Sequence, residues 1–277
     1  MKTKTNAEML KSIKQYNKTD REVKAKKEGF NSAADFIFYL GNQVLLGFGS
    51  NTYSSPGVAL APNKSSAIKT KVIGERPVIH IVDVIDKSGS MSGGKDQAAV
   101  KGINMGVKAL REDTAEVDYT YTLCDFSDNI VFRNTMCKLD QITPLREGTR
   151  NSTALYDAIG KTIDLIKESK QDSDKVLVNI YTDGQENSSR KFSANQIAQL
   201  IEQLSECGWT FTFIGTAGDV AYAQRNLKFH ESNTLVHDNT PASMARGMHV
   251  NSVARSAYSS KVVAGEDVST GFYKDIK

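Results

Sequence analysis

The chain has 277 residues, 39% of them apolar and 24% charged, the balance of an ordinary soluble protein with room for one domain of about 200 residues and an appendage. No apolar run approaches the ~18 residues needed to span a bilayer, and Met1-Lys2-Thr3-Lys4-Thr5-Asn6 lacks the apolar region of a signal peptide. The net charge of +3 is unevenly spread: residues 1–75 carry 12 Lys/Arg against 6 Asp/Glu, and residues 76–277 carry 23 against 26. A basic appendage on a mildly acidic domain suits a solvated helix face, or else contact with nucleic acid or a membrane surface. Three cysteines, Cys124, Cys137 and Cys207, make an odd count without CxxC spacing. They are expected to be reduced and mostly buried, in keeping with a cytoplasmic setting.

In chain order, residues 1–45 read as a small basic helical segment. Met9, Leu10 and Ile13 form one short face, and Ala33, Phe36, Ile37 and Leu40 form another at 3/4 spacing. Residues 46–75 lose periodicity and are rich in turn formers, as in Ser54-Ser55-Pro56-Gly57, so they read as a linker. The GxG of Gly47-Phe48-Gly49 lacks the third glycine of a dinucleotide site.

From Val78 to Ile85 a run of mostly β-branched residues predicts a strand buried on both faces, as in the centre of a parallel sheet. It empties into Asp86-Lys87-Ser88-Gly89-Ser90. Lys95 to Leu110 then places Ala99, Ile103, Val107 and Leu110 on one helical face, with Lys95 expected as a solvated lysine at the helix start. Val117 to Phe126 and Ile130 to Cys137 read as two strands joined by Ser127-Asp128-Asn129. A helix is expected from Thr153 to Lys170 and a buried strand from Lys175 to Tyr181. Ser193 and Gln196 have capping-box spacing before a helix stopped by Gly208. Trp209 to Ile214 is a strand, Asp219 to Leu227 a helix and Thr234 to Val236 a short strand. Thr240-Pro241 opens a last helix whose Met244 and Met248 belong to the core.

This alternation predicts an α/β fold: a doubly wound, mostly parallel sheet with one antiparallel edge strand over residues 76–258, preceded by the helical appendage and followed by an aperiodic tail, 259–277. In such sheets ligands bind outside the carboxyl ends of the strands. A carboxylate and two hydroxyls at alternate positions there suggest a hard cation such as magnesium.

Three ordered segments carry a resemblance: Asp86-Lys87-Ser88-Gly89-Ser90-Met91, Ser152-Thr153-Ala154-Leu155-Tyr156-Asp157, and Tyr181-Thr182-Asp183-Gly184-Gln185-Glu186-Asn187. Over residues 76–258 the chain resembles the von Willebrand factor A domain, in particular its stand-alone bacterial and phage-type members. That resemblance implies a metal-ion-dependent adhesion site. Ser88 and Ser90 would bind Mg through their hydroxyls, Thr153 directly or through water, and Asp86 and Asp183 would supply charge, with Mn or Ca as alternatives. It also implies a non-enzymatic module whose protein partner offers a Glu or Asp carboxylate to the metal. The family's usual glycine is replaced at Asn151 or Ser152, which leaves Thr149 as an alternative ligand.

Two rival readings remain in the residues. The basic segment 1–31 would anchor a nucleic-acid-associated protein. Gly89 to Asp96 matches a P-loop at its glycine and lysine positions, although Asp96 stands where a hydroxyl should hold magnesium. His80, His230, His237 and His249 show no metal-binding spacing, and His80 lies inside the first strand in a structural role.

Overall fold

The computed structural model describes residues 18–27 and 76–276, together with Glu8, Lys11 and Ser12. The chain divides into two compact units, 1–75 and 76–277. In the first, helix α1 (Lys18–Lys27) has Asp20 in its first turn and Lys24, Lys26 and Lys27 in its last, the arrangement its dipole favours. Both expected apolar faces of the basic segment, the Gly47 region, the turn-rich linker and most of the segment on which a nucleic-acid reading rests lie outside the described residues.

The second unit is built on a six-stranded sheet of order β3-β2-β1-β4-β5-β6. Its strands are β1 (Val78–Asp86), β2 (Asp118–Phe126), β3 (Ile130–Cys137), β4 (Lys175–Tyr181), β5 (Trp209–Gly215) and β6 (Thr234–Val236). All neighbours are parallel except β2 and β3, whose short connection permits only a hairpin. The β1 run is central because it is buried on both faces. Helices α2 (Lys95–Glu112), α3 (Leu155–Ser169), α4 (Ala194–Glu206), α5 (Ala217–Asn226) and α6 (Pro241–Val263) link or follow the strands.

On one face Ile79, Ile81 and Ile85 join a core with Ile103 and Val107 of α2 and Met244 and Met248 of α6. Val82 and Val84 alternate with these and are also fully buried, so they face the opposite layer. The Ser193–Gln196 capping box forms as expected, and Gly208 ends the following turn at φ +84°. His80 bonds through both ring nitrogens, to Thr120 Oγ1 at 2.5 Å and to Asp174 at 2.8 Å, a structural tie between β1, β2 and the turn before β4.

Three expectations are corrected. The last helix continues past residue 258 to Val263; the aperiodic segment beyond it, for which wrapping the domain or remaining mobile were both open, wraps it. Val268, Phe272 and Tyr273 are buried; Thr210 Oγ1 donates to the Val268 carbonyl at 2.8 Å. Among the cysteines, only Cys124 is buried, while Cys137 and Cys207 are half-buried; burial pushes the Cys124 thiol up to about 12. Lys95 is also buried. No described helix is long and apolar enough to cross a membrane.

The close approach of α2 and α6 gives a test of the packing. A methyl group on Gly102 would lie 2.5 Å from Met248 Cβ. Gly102→Ala gains about 1 kcal/mol of helix propensity, but this overlap is expected to outweigh the gain and destabilise the fold by about 1–3 kcal/mol. The denaturation midpoint in urea should fall; a raised midpoint would show that the two helices part without cost.

Candidate functional site

The loops at the carboxyl edge are held by contacts from every side. Strand β1 delivers Asp86, fully buried, whose Oδ1 accepts from Ser88 N at 2.6 Å and whose Oδ2 accepts from Thr182 Oγ1 at 2.6 Å. Burial pushes its carboxyl up to about 6 against those bonds, and the neighbouring charge of Asp183 adds to the rise. Beyond it, Ser88 and Ser90 hydroxyls lie 2.8 Å apart. One 3-10 turn, Gly89–Met91, is pinned in the core by Met91.

Thr153, 3% exposed, is held by the loop after β4. Its N–H donates to Asn187 Oδ1 at 2.9 Å, and its carbonyl accepts from Asn187 N at 3.0 Å. Glu186 accepts from Tyr156 N at 3.0 Å, tying the start of α3 to the same loop. Asp157 accepts from the N–H groups of Arg190, Lys191 and Phe192 at 2.8 to 3.0 Å. Although burial opposes it, those donors hold the Asp157 carboxyl below its usual range. Asn187, Glu186 and Asp157 therefore position Thr153. Their sequence signal was a dense polar run in one loop and an acidic residue in the first turn of a helix.

The decisive geometry surrounds Gly184. A methyl group on its Cα would lie 2.9 Å from Ser90 Oγ, 3.0 Å from Asp86 Oδ2 and 3.1 Å from Thr153 Oγ1. Two loops thus aim oxygens at one small cradle that a third, at Gly184, lines, with Ser88 beside it on Ser90. The Asp183 side chain is fully buried and forms an ion pair with Lys95, yet neither of its oxygens accepts a hydrogen bond. Among the described residues there is no group of three or more His, Cys, Asp or Glu side chains that could hold a metal. The oxygen-rich cluster instead gathers the Asp86 carboxylate with the Ser88, Ser90 and Thr153 hydroxyls, while Asp183, paired with Lys95, adds its charge near Asp86.

The remaining loop residues have structural work. Buried Lys87 pairs with buried Asp96 and donates to the Arg146 carbonyl at 3.0 Å, while Asp96 accepts from Gly148 N at 2.6 Å. Asp96 thus clamps the loop before Thr153. Lys95 donates to Asn239 Oδ1 at 2.5 Å besides pairing with Asp183. With both residues engaged inside the protein, the P-loop reading has no lysine ready for a phosphate. Thr149, the alternative ligand, is exposed. Among the described non-glycine residues only Met136 and Lys228 have positive φ, so Asn151 and Ser152 need no left-handed backbone where glycine is usual. Gly148, at φ +137°, lies in this loop before them.

A doubly wound sheet of this order, one antiparallel edge, and hydroxyl-bearing loops at its carboxyl end define an open α/β protein with its site at the strand ends. The observed sheet order and its one antiparallel edge agree with the fold that the resemblance to the von Willebrand factor A domain implied. Solved structures similar to this chain include a von Willebrand factor type A protein from Catenulispora acidiphila, at 15% identity and TM-score 0.49, over 67% of this chain and 43% of that one. Another is a D319A mutant of the PilB minor pilin from Streptococcus sanguinis, at 13% identity and TM-score 0.50, over 67% and 63%. A third is proximal thread matrix protein 1 from the mussel byssus with a zinc-occupied MIDAS motif, at 16% identity and TM-score 0.46, over 63% and 44%. The chain spans less than two thirds of the length of each, and at these identities the likeness is one of fold. No family model and no curated protein matches the chain.

Proposed function

We propose that the 76–277 unit is a non-enzymatic, magnesium-dependent protein-binding module that captures a Glu or Asp side chain of a partner. The convergence of Asp86, Ser90 and Thr153 oxygens on the Gly184 cradle carries this reading. The residues fit such an ion: hydroxyls and few carboxylates suit magnesium, which keeps part of its water shell, and the unbonded oxygen of buried Asp183 needs a partner. Asp86, Ser88, Ser90, Thr153 and Asp183 would hold it, and Mn or Ca would find the same hard oxygens. When bound, the ion supplies a positive point that attracts a carboxylate. The chain's own contribution is to hold the hydroxyls in place through Asn187, Glu186 and Asp157 and to bury Asp86 so that its charge seeks a counter-ion. The absence of a disulfide at Cys124, Cys137 and Cys207 is in keeping with the reducing, cytoplasmic setting of this reading.

The test is calorimetric titration of the full chain with MgCl2, wild type against Asp183→Ala, followed by partner pull-down in magnesium and in chelator. Saturable heat in the wild type only, with capture confined to magnesium, is the expected result. Equal capture in both buffers would sink the reading.

A further inference from the structure

Lys95 is a charge that the oxygen cluster does not require. It opens α2, where a cation opposes the helix dipole, and it is only 8% exposed, which is unfavourable for an ammonium unless it is paired. Its Nζ pairs with Asp183 and donates to Asn239 Oδ1 at 2.5 Å. One group thereby ties the start of α2 to the loops that follow β4 and β6. The start of α6 closes over the same point, since a methyl on Gly94 would lie 3.2 Å from Pro241 Cγ. The Asp183 side chain is fully buried and its other oxygen is unbonded.

From these contacts we infer that Lys95 is an internal counter-ion that sets the charge of the site, weakening its hold on a divalent cation and strengthening its demand for a carboxylate. This rests on the metal-binding reading above. Asp86, Asp183 and Lys95 together carry one net negative charge when both carboxyls are ionised, so a divalent ion leaves the loaded site one unit positive. A single partner carboxylate neutralises that excess. Without the ammonium the loaded site would already be neutral and would have less attraction for an anion. Lys95 is thus a positioning and charge-setting residue, and metal affinity and carboxylate affinity should move in opposite directions when it is changed.

The experiment uses the full chain and Mn2+ as the probe, with free ion followed by electron paramagnetic resonance, for wild type, Lys95→Gln and Lys95→Arg. Lys95→Gln keeps a polar contact without the charge and is expected to bind Mn2+ about tenfold more tightly or better. Lys95→Arg keeps the charge and should stay near wild type. A second titration with acetate on the Mn2+-loaded proteins should show weaker anion binding by Lys95→Gln. If Lys95→Gln does not fold, Lys95→Met carries the same expectations. Wild type and Lys95→Gln binding Mn2+ equally would overturn the inference, leave the metal site standing and reduce Lys95 to a structural tie. Absence of binding in every protein would overturn both. Binding by Lys95→Gln alone would support the inference in its strongest form.

Discussion

Gly184→Ala should abolish divalent-cation binding while leaving the domain folded. The added methyl would sit within 3.1 Å of oxygens from Asp86, Ser90 and Thr153, in the space to which all three point. The backbone at Gly184 lies outside the positive-φ glycine region, so alanine meets no conformational barrier there. The crowded atoms are the ends of side chains. Ser90 and Thr153 can turn away at a cost of about 1–3 kcal/mol, and that turn removes their oxygens from the cradle. Calorimetry should therefore show the Mg heat reduced to the level of Asp183→Ala, with a cooperative melting transition retained. Full metal affinity in Gly184→Ala would mean that any ion sits elsewhere.

The largest effect on stability is expected at Arg255. Its guanidinium is 3% exposed and pairs with Asp83, itself fully buried. Asp83 also accepts from Tyr121 OH at 2.6 Å, Asn179 Nδ2 at 3.0 Å and Tyr181 OH at 3.2 Å. Asn251 of α6 donates to Tyr181 OH at 2.7 Å, and Tyr273 donates to Asn251 Oδ1 at 2.7 Å. Burial works against the charge on Arg255, but the field of Asp83 outweighs it and raises the guanidinium above its ordinary value. The network joins β1, β4, α6 and the C-terminal segment beneath the Asp86 and Asp183 loops. Arg255→Met strands the Asp83 carboxylate and should lower stability by about 3–5 kcal/mol in urea denaturation. Adding Asp83→Asn should recover much of that loss, since the damage comes from the uncompensated charge. If the two losses simply add, the residues do not act as a pair.

Much of this architecture was legible locally. The β-branched run before Asp86, the capping box at Ser193 and the Ile130–Cys137 hairpin each rest on periodicity or turn chemistry within a few residues. The C-terminal segment was opaque for a matching reason: Val268, Phe272 and Tyr273 follow no regular period and are buried by meeting β5 and the turn before β6. Lys95 was expected at the surface because a lysine beginning a helix is usually solvated. The residues that bury it, Asp183 and Asn239, are far away in sequence.

By itself, then, the sequence determined which segments are strands and helices, in what order, and which loops carry the carboxylates and hydroxyls, because hydrophobic period and capping act between near neighbours. Only the tertiary structure decided that Gly184 lies at the centre of Asp86, Ser90 and Thr153, that Lys95 neutralises Asp183, and that Arg255 answers Asp83. Those pairings exist because parallel strands bring their carboxyl ends to one edge and α6 folds back over β1 and β4. No local pattern records which distant side chains will then meet.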